Sequence, residues 1–311
     1  SKDLEMKKFA MAAVAAAAMT AGVAQAYTAG TFSNGVVVPN VIHNGASDTT
    51  AVGLVNQSGV TKGVFWTFFD QNSKHVTDGC FVMTNKDYTP FVWANESGAG
   101  LEGKRGYLVF AVGGNVATAT DCSAASVAPS VGLANGQIAA HAFQVNAAAQ
   151  DVAYTPVIDG PITFNAALTD LTVMGADSVT AVAGAAQSVA AGGGDAVFSM
   201  RYFLDGGAST NIVVWSTGIQ KGTHTVNIYD DKQNRKSVNF DLKFDELDWF
   251  DPSTIPGRPA NFVDGFIDWD SNGALVDATA TPIDGSVFTY SVITAPAFGA
   301  TQTVLGFHRA L

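Results

Sequence analysis

Charged residues are scarce in this sequence. Only 14% of its 311 residues are Asp, Glu, Lys or Arg, and acidic residues outnumber basic ones, so the formal net charge is -11. The chain therefore lacks the positive stripe that phosphate backbones and anionic membrane surfaces attract, and nucleic acid is not an expected partner. A hydrophobic content of 47%, with 10% aromatic residues, excludes a disordered chain.

Long apolar runs are missing too. Near the N-terminus, Lys7 and Lys8 precede a short apolar stretch, residues 9–18, and an Ala24-Gln25-Ala26 motif. This order is typical of a secretory signal peptide, and the stretch is shorter than the roughly 20 residues of a membrane span. We predict a signal peptide with preceding extra residues over 1–26. The mature chain would carry no integral membrane segment and would be exported to the periplasm, the cell surface or the extracellular space.

Cysteine is almost absent. Cys80 and Cys122 are the only two, and in an exported protein such a pair predicts a disulfide. Two reduced, buried thiols are the alternative. A metal site at these cysteines is not expected, because neither has another Cys or a His at ligand spacing.

Signatures of catalysis are missing as well. The sequence contains no G-x-S-x-G or H-E-x-x-H motif, and its five histidines are widely scattered. The glycines of GAGLEG, residues 98–103, have the spacing of a nucleotide-binding loop, but a strand-like run follows where that motif requires a helix. We therefore expect no enzymatic activity. A hydrolase whose residues converge from distant segments is the less favoured alternative.

The sequence does contain many short runs rich in Val, Phe, Trp and Thr. They recur about every ten residues and are bounded by Gly, Asn, Asp or Ser, which is typical of sandwiches and barrels. Val238, Phe240 and Leu242 show the alternation of a strand with one buried face. We predict an all-β fold with strands at 35–42, 49–56, 63–70, 88–93, 106–112, 196–204, 211–215, 224–230, 237–244, 262–269, 286–293 and 301–308.

The two halves of the sequence match each other at an offset of 160 residues. Thr50 matches Thr210, and Asp70 matches Asp230, with hydrophobic residues in the same phase between them. This match predicts an internal duplication, although two unrelated hairpins with similar turn chemistry would also produce it.

Duplication predicts two antiparallel β-sandwich domains, at residues 27–157 and 196–311. Between them, residues 158–195 include an Ala/Gly-rich stretch. Its glycines predict a flexible linker, and its alanines permit a short helix.

The hairpins VFWTFFDQNSKHV and TVNIYDDKQNRKSV resemble those of bacterial immunoglobulin-like domains in exported and surface-anchored proteins. The resemblance rests on strand and turn patterning over most of the mature chain. It implies an Ig-like sandwich with a structural or binding role, and it implies no catalytic residues.

Acidic residues concentrate between Asp241 and Asp277. Within this region Asp268, Asp270 and Asn272 have the D-x-D-x-N-G spacing of a calcium loop, in which alternate oxygen ligands converge on one ion. The expected bidentate Glu is replaced by Thr279, and Asp277 could substitute only from a different geometry. The sequence therefore predicts either a structural Ca²⁺ site or a solvated turn.

Two of the five tryptophans have acidic neighbours. Trp249 and Trp269 are predicted to form a partly exposed patch that contacts a carbohydrate or another small ligand, although a patch packed against a neighbouring subunit would look the same. Trp66 and Trp215 alternate with other apolar residues and are predicted to lie in the core.

These observations favour a non-enzymatic exported protein with a structural or adhesive role in a cell-surface or extracellular assembly. Exposed strand edges could pair with a neighbour, so the expected partners are further copies of the chain or other surface proteins. The alternative is a sandwich module that binds glycans or another small ligand.

Overall fold

The computed structural model describes most of the chain beyond the predicted signal peptide. Within it the fold is all-β, built from several antiparallel sheets in an arrangement consistent with β-sandwiches. No helix in this part of the chain has the length and apolar character needed to cross a membrane. The predicted signal peptide and Asn272 lie outside the described residues, which are 30–45, 47–98, 100–114, 121–123, 127–129, 137–147, 150–189, 196–271 and 275–310.

The N-terminal half forms two sheets. The outer N-terminal sheet has the strand order β5-β2-β7-β8, and the inner N-terminal sheet has the order β4-β3-β6-β1-β9. Their elements are β1 (Gly35–Ile42), β2 (Asp48–Asn56), β3 (Lys62–Asp70), β4 (His75–Met83), β5 (Tyr88–Val92), α1 (Trp93–Glu96), β6 (Arg105–Val112), β7 (Ile138–Asn146), β8 (Asp151–Thr155) and β9 (Ile158–Asp159).

The connecting segment, residues 160–189, and the C-terminal half, residues 196–310, follow. The connecting strands are β10 (Ile162–Phe164), β11 (Val179–Val182) and β12 (Ala186–Ser188), with a 3₁₀ turn at Leu171–Val173. The remaining strands are β13 (Ala196–Phe203), β14 (Ser209–Ser216), β15 (Gly222–Asp230), β16 (Arg235–Leu242), β17 (Leu247–Phe250), β18 (Asp264–Asp270), β19 (Gly285–Ala295), β20 (Ala300–Leu305) and β21 (Phe307–Ala310), and further 3₁₀ turns lie at Asp205–Gly207, Pro252–Thr254 and Pro296–Phe298.

The C-terminal half repeats the strand order of the N-terminal half. The outer C-terminal sheet has the order β16-β15-β18-β13-β21, which is the order of the inner N-terminal sheet with each strand number raised by twelve. The inner C-terminal sheet has the order β12-β19-β14-β17, with β20 also paired to β19. Strands β17, β14, β19 and β20 are thus the counterparts of β5, β2, β7 and β8.

Residues matched at the offset of 160 also make matching hydrogen bonds. The Thr50 hydroxyl accepts from the Ile42 N–H at 2.9 Å, and its proton has two acceptors in reach, the Ile42 carbonyl at 3.3 Å and Gln144 Oε1 at 2.9 Å. The Thr210 hydroxyl accepts from the Phe203 N–H at 2.9 Å and donates to the Phe203 carbonyl at 2.8 Å. Each threonine thereby ties the second strand of its half to the first across a local turn.

The two aspartates that begin the matching turns behave alike. Asp70 Oδ1 accepts from the backbone N–H of Asn72 at 2.9 Å and of Lys74 at 3.0 Å. Asp230 Oδ1 accepts from the N–H groups two and four residues later at 2.9 and 2.8 Å. A carboxylate that satisfies two N–H groups in this way fixes the same tight turn in both halves.

Three hydrophobic cores separate the four sheets, so that the sheets stack in the order outer N-terminal, inner N-terminal, inner C-terminal and outer C-terminal. The first core lies inside the N-terminal half and includes Leu54, Phe68 and Trp93. The third lies inside the C-terminal half and includes Phe198 and Trp269. The middle core joins the halves through Phe65, Phe69, Tyr107, Val109, Trp215, Leu247, Phe288 and Tyr290.

This stacking explains how the two equivalent sheets differ in burial. Strand β3 is buried at every position except Asp70, because its two faces contact the first and the middle core. Its counterpart β15 alternates buried and less buried residues over Val226–Asp230, because only one of its faces contacts a core. The inner N-terminal sheet is therefore covered on both sides, and the outer C-terminal sheet on one.

The connecting segment differs from the flexible linker or short helix predicted for residues 158–195. Strand β9 begins this stretch and pairs with β1, and β12 lies near its end and pairs with β19. Residues 158–189 are therefore hydrogen-bonded to both halves. The Asn34 side chain accepts from the Ile162 N–H at 2.8 Å and donates to the Ile162 carbonyl at 2.9 Å. Leu171 and Met174 are buried in the middle core. Apolar side chains among the alanines and glycines thus order residues 158–189, and residues 190–195 lie outside the described ranges.

Candidate functional site

Cys80 and Cys122 form a disulfide, which confirms the sequence prediction. Cys80 lies on β4, and the two Cα atoms are 5.9 Å apart. Among the described residues no cysteine is free. A disulfide of this kind indicates a non-reducing environment.

The predicted calcium ligands are placed as follows. Asp268 and Asp270 both lie on β18, and the Ser199 hydroxyl is 3.4 Å from one carboxylate oxygen of Asp268. The Asp277 carboxylate stabilises the turn that it begins, because its Oδ1 accepts from the N–H groups of Thr279 at 2.8 Å and Thr281 at 2.9 Å. The Thr279 hydroxyl also donates to Oδ1, at 2.7 Å, and this bond, together with the two backbone bonds, holds the pKa of Asp277 below its usual value. No group of three or more His, Cys, Asp or Glu residues suited to a metal is found within the described ranges.

The two candidate ligand-binding tryptophans are not exposed as an aromatic surface. Trp269 is 1% exposed, and its ring packs against Phe198 with 5.6 Å between ring centroids. Trp249 is half-buried, and the guanidinium carbon of Arg105 lies 4.0 Å from its ring centroid. The burial of Trp269 contradicts the partly exposed position predicted for it, whereas Trp249 stays partly exposed beside Arg105. Trp66 and Trp215 lie in cores, as predicted.

The junction between the halves contains a buried polar cluster. Tyr107, 3% exposed, donates from its hydroxyl to Glu246 Oε2 at 3.0 Å, and the Ser73 hydroxyl lies 2.8 Å from the Tyr107 oxygen. Burial raises the pKa of Glu246 to about 8, against the opposing effect of its hydrogen bonds to Ser73 and Tyr107. The carboxyl group of Glu246 is therefore mostly protonated at neutral pH, which removes most of the cost of burying a charge.

Arg105 provides a second polar link across the junction. Its Nε donates to Asn40 Oδ1 at 2.6 Å, and one terminal nitrogen donates to Asn211 Oδ1 of the C-terminal half at 3.3 Å. Burial lowers the pKa of Arg105 to about 10, so the side chain stays charged at neutral pH. Together with its position over Trp249, these bonds make Arg105 a bridge between the halves.

Sequence reasoning missed this junction. A signal was nonetheless present, because GVFWTFF in β3 is apolar at nearly every position. A strand with that pattern is expected to be buried on both faces, whereas a strand with one free face alternates.

The outer N-terminal sheet exposes several large apolar side chains. Tyr88 is 62% exposed, Val152 57%, Tyr154 42% and Phe143 40%. Phe143 and Tyr154 form an edge-to-face pair with 6.2 Å between centroids. Phe143 and Tyr154 are therefore exposed as a contacting pair and not as two isolated aromatic residues.

Aromatic residues are also exposed on the outer C-terminal sheet. Phe266 is 37% exposed and stacks on Tyr229, with 4.8 Å between ring centroids. Phe307 on the edge strand β21 is 74% exposed. The two outermost sheets of the stack thus both present aromatic residues to solvent.

Beside Phe307 lies an apolar groove of about 520 Å³. Strand β21 pairs with β13 only at Ala196–Ser199, so the groove runs along the rest of β13 toward the β19–β20 hairpin. The Arg201–Asp264 ion pair, 2.6 Å long, lies at its edge. The groove is lined by Arg201, Phe203, Ile293, Ala295, Phe298, Ala300, Gln302, Val304 and Phe307.

Comparisons with known proteins do not assign this chain to a family. No protein-family model matches it, and no curated protein matches it. Among solved structures, a lectin from Pleurotus ostreatus in complex with GalNAc is similar at 9% sequence identity and a TM-score of 0.16. That alignment covers 94% of this chain and 79% of the lectin. A TM-score this low carries no argument about fold or function.

Proposed function

We propose that this protein is a non-enzymatic, exported component of a cell-surface or extracellular assembly, with a structural or adhesive role. The observation that carries the proposal is the exposure of aromatic residues on both outermost sheets, at Tyr88, Phe143, Phe266 and Phe307. Monomeric soluble proteins rarely expose large contiguous apolar patches, and such patches usually mark sites of association. The Cys80–Cys122 disulfide supports a place outside the reducing cytoplasm.

We further propose that the two halves arose by duplication of an Ig-like sandwich. The shared strand order supports this proposal, as do the matching hydrogen bonds of Thr50 with Thr210 and of Asp70 with Asp230. A duplicated unit suits an assembly role, because a contact formed once within the chain can be formed again between chains.

Sedimentation velocity of the mature protein over a wide concentration range tests the assembly role, with electron microscopy of the most concentrated samples. We expect species larger than a monomer to grow with concentration. A protein that stays strictly monomeric at every concentration would contradict the proposal. The disulfide must be kept intact throughout, because the reduced chain is a different sample.

The structural calcium ion at Asp268, Asp270, Asn272 and Asp277 remains a prediction. If Ca²⁺ binds only the folded chain, the melting temperature rises saturably as Ca²⁺ is added after chelation. Magnesium at the same concentration serves as the control. An unchanged melting temperature would reduce the site to a solvated turn.

A further inference from the structure

A stacked aromatic pair occurs at the same place in the fold of each half. Phe69 and Tyr107 are register partners on β3 and β6, and their rings stack with 5.0 Å between centroids. Tyr229 and Phe266 are register partners on β15 and β18, the counterpart strands, and stack at 4.8 Å. The first pair is buried at the junction between the halves, whereas Phe266 is exposed on the outer C-terminal sheet.

The residue that covers the buried pair also has a counterpart. Trp215 on β14 packs edge-on against Tyr107, with 5.8 Å between ring centroids. Trp215 lies between Leu247 on β17 and Phe288 on β19. In the N-terminal half, Val55 on β2 lies between Tyr88 on β5 and Ala139 on β7. Val55 is therefore the counterpart of Trp215.

The solvent-facing side of the outer N-terminal sheet is thus the counterpart of the face that packs into the middle core. Its apolar character is kept in part. Phe143, Tyr88 and Val55 stand where Val292, Leu247 and Trp215 pack against that core, whereas Gly53 and the exposed His141 stand in place of Val213 and Tyr290. Both faces needed to form the junction a second time are consequently exposed on one molecule, at opposite ends of its stack of sheets.

We propose that one copy of this chain docks its outer N-terminal sheet onto the outer C-terminal sheet of a second copy, in the same manner as the two halves dock within the chain. The contact would be centred on Phe266 and Tyr229 of one copy and on Val55 and Phe143 of the other. This inference rests on the proposed assembly role and specifies its geometry. Because the two docking faces differ, the contact leaves a free face at each end and builds open rows of copies rather than closed two-fold dimers.

The polar residues on the outer C-terminal sheet determine how strong this contact is. Asp268 and Asp270 occupy the positions of Val109 and Ala111 in the inner N-terminal sheet, because they pair with β13 in the register in which Val109 and Ala111 pair with β1. Their carboxylates are costly to bury, so the contact is confined to the aromatic end of the sheet. The rows are therefore expected to be reversible on dilution, unlike the permanent junction within the chain.

Sedimentation velocity of three single variants tests the two faces. Phe266→Asp and Phe143→Asp each place a charge in the proposed contact, and each should weaken association by about tenfold or more. Val173→Asp is the matched control, because Val173 is 66% exposed in the connecting segment and lies on neither face. It should associate like the wild type. Thermal melts of all three variants establish that they are folded.

Cross-linking then tests the polarity of the contact. Phe266→Cys and Val55→Cys variants are treated with a short bismaleimide, separately and as a mixture, with the native disulfide left intact. We expect covalent dimers in the mixture only, and a ladder of longer products from the double variant.

The outcomes separate this inference from the proposed function. Cross-linked dimers formed by either variant alone would mean a two-fold contact, which overturns the head-to-tail arrangement and leaves the assembly role standing. Association unaffected by both Asp variants would do the same. A wild-type protein that never associates would overturn both.

Discussion

The inner N-terminal sheet and the outer C-terminal sheet are built alike but are covered differently. They share strand order, the aspartate turn and a stacked aromatic pair. The first sheet packs into a core on each face, and the second on one face only. The backbone hydrogen bonds and turns therefore specify the fold of each half. The side chains on the second face determine whether that half is joined permanently to a neighbour.

The largest expected difference between the sheets is in the cost of removing an equivalent ring. Tyr107→Ala should lower the free energy of unfolding by about 4 kcal/mol, because Tyr107 is 3% exposed and packs against Trp215. Phe266→Ala, at the equivalent position with 37% exposure, should cost about 1 kcal/mol or less. Urea unfolding of the two variants measures the difference.

Tyr107→Phe separates the contribution of the ring from that of the hydroxyl. This variant keeps the packing of the ring but removes the hydrogen bond to Glu246. It should therefore lower the free energy of unfolding by about 1–2 kcal/mol. If Tyr107→Ala and Phe266→Ala lowered the free energy of unfolding equally, the packing of Tyr107 at the junction would contribute nothing to stability.

The second difference depends on pH, because a titratable group is buried at the junction. The pKa of Glu246 is about 8 in the folded chain and near 4.5 when the carboxyl is free. Between these values the unfolded chain has lost the proton that the folded chain keeps. Stability from this residue is therefore greatest below pH 4.5, falls as the pH rises to about 8, and is level above that.

Comparison of the wild type with Glu246→Gln isolates this residue. Across the same pH window the wild type should lose on the order of 4 kcal/mol relative to the variant. Glu96→Gln is the matched control, because Glu96 is exposed on α1, and its pH profile should follow the wild type. A Glu246→Gln profile parallel to the wild type would contradict the burial of a protonated carboxyl at the junction.

The smallest effect tests what the two halves share. Thr50→Val and Thr210→Val each remove a hydroxyl that bridges the N–H and carbonyl of one residue on the preceding strand. Each should lower the free energy of unfolding by about 1–2 kcal/mol, since partly buried backbone groups lose their partner. Chemical denaturation measures the free energy of unfolding of both variants. If the two variants lost different amounts, the two threonines would be equivalent in structure but not in their contribution to stability.

The strands themselves were predictable from the sequence. Runs of β-branched and aromatic residues bounded by turn formers located twelve strand segments, and Gly35–Ile42 was predicted to the residue. Strands with weaker composition escaped prediction. Strand β7 is rich in alanine, and β4 contains Gly, Asp and His, so neither has the density of branched side chains on which the prediction relied.

The pairing of faces was harder to predict. Residues that meet at the junction, such as Tyr107 and Glu246, are far apart in sequence, and nothing near either of them identifies its partner. In the sequence Glu246 is only one of the acidic residues between Asp241 and Asp277, yet in the structure it is buried, and Tyr107 and Ser73 hydrogen-bond to its carboxyl group. Trp269 was expected at the surface because aspartates flank it, but alternation along β18 turns those aspartates away from the core that holds its ring.

The ordered connecting segment has a consequence for dissecting the molecule. Cutting the chain near residue 157 or residue 196 would leave each fragment with one sheet stripped of its cover, with Phe65 and Tyr107 on one piece and Trp215 and Phe288 on the other. Neither fragment should stay soluble when it is expressed separately. When the two fragments are coexpressed, they should associate and restore the fold of the intact chain. The smallest useful unit for production is therefore the pair of halves together.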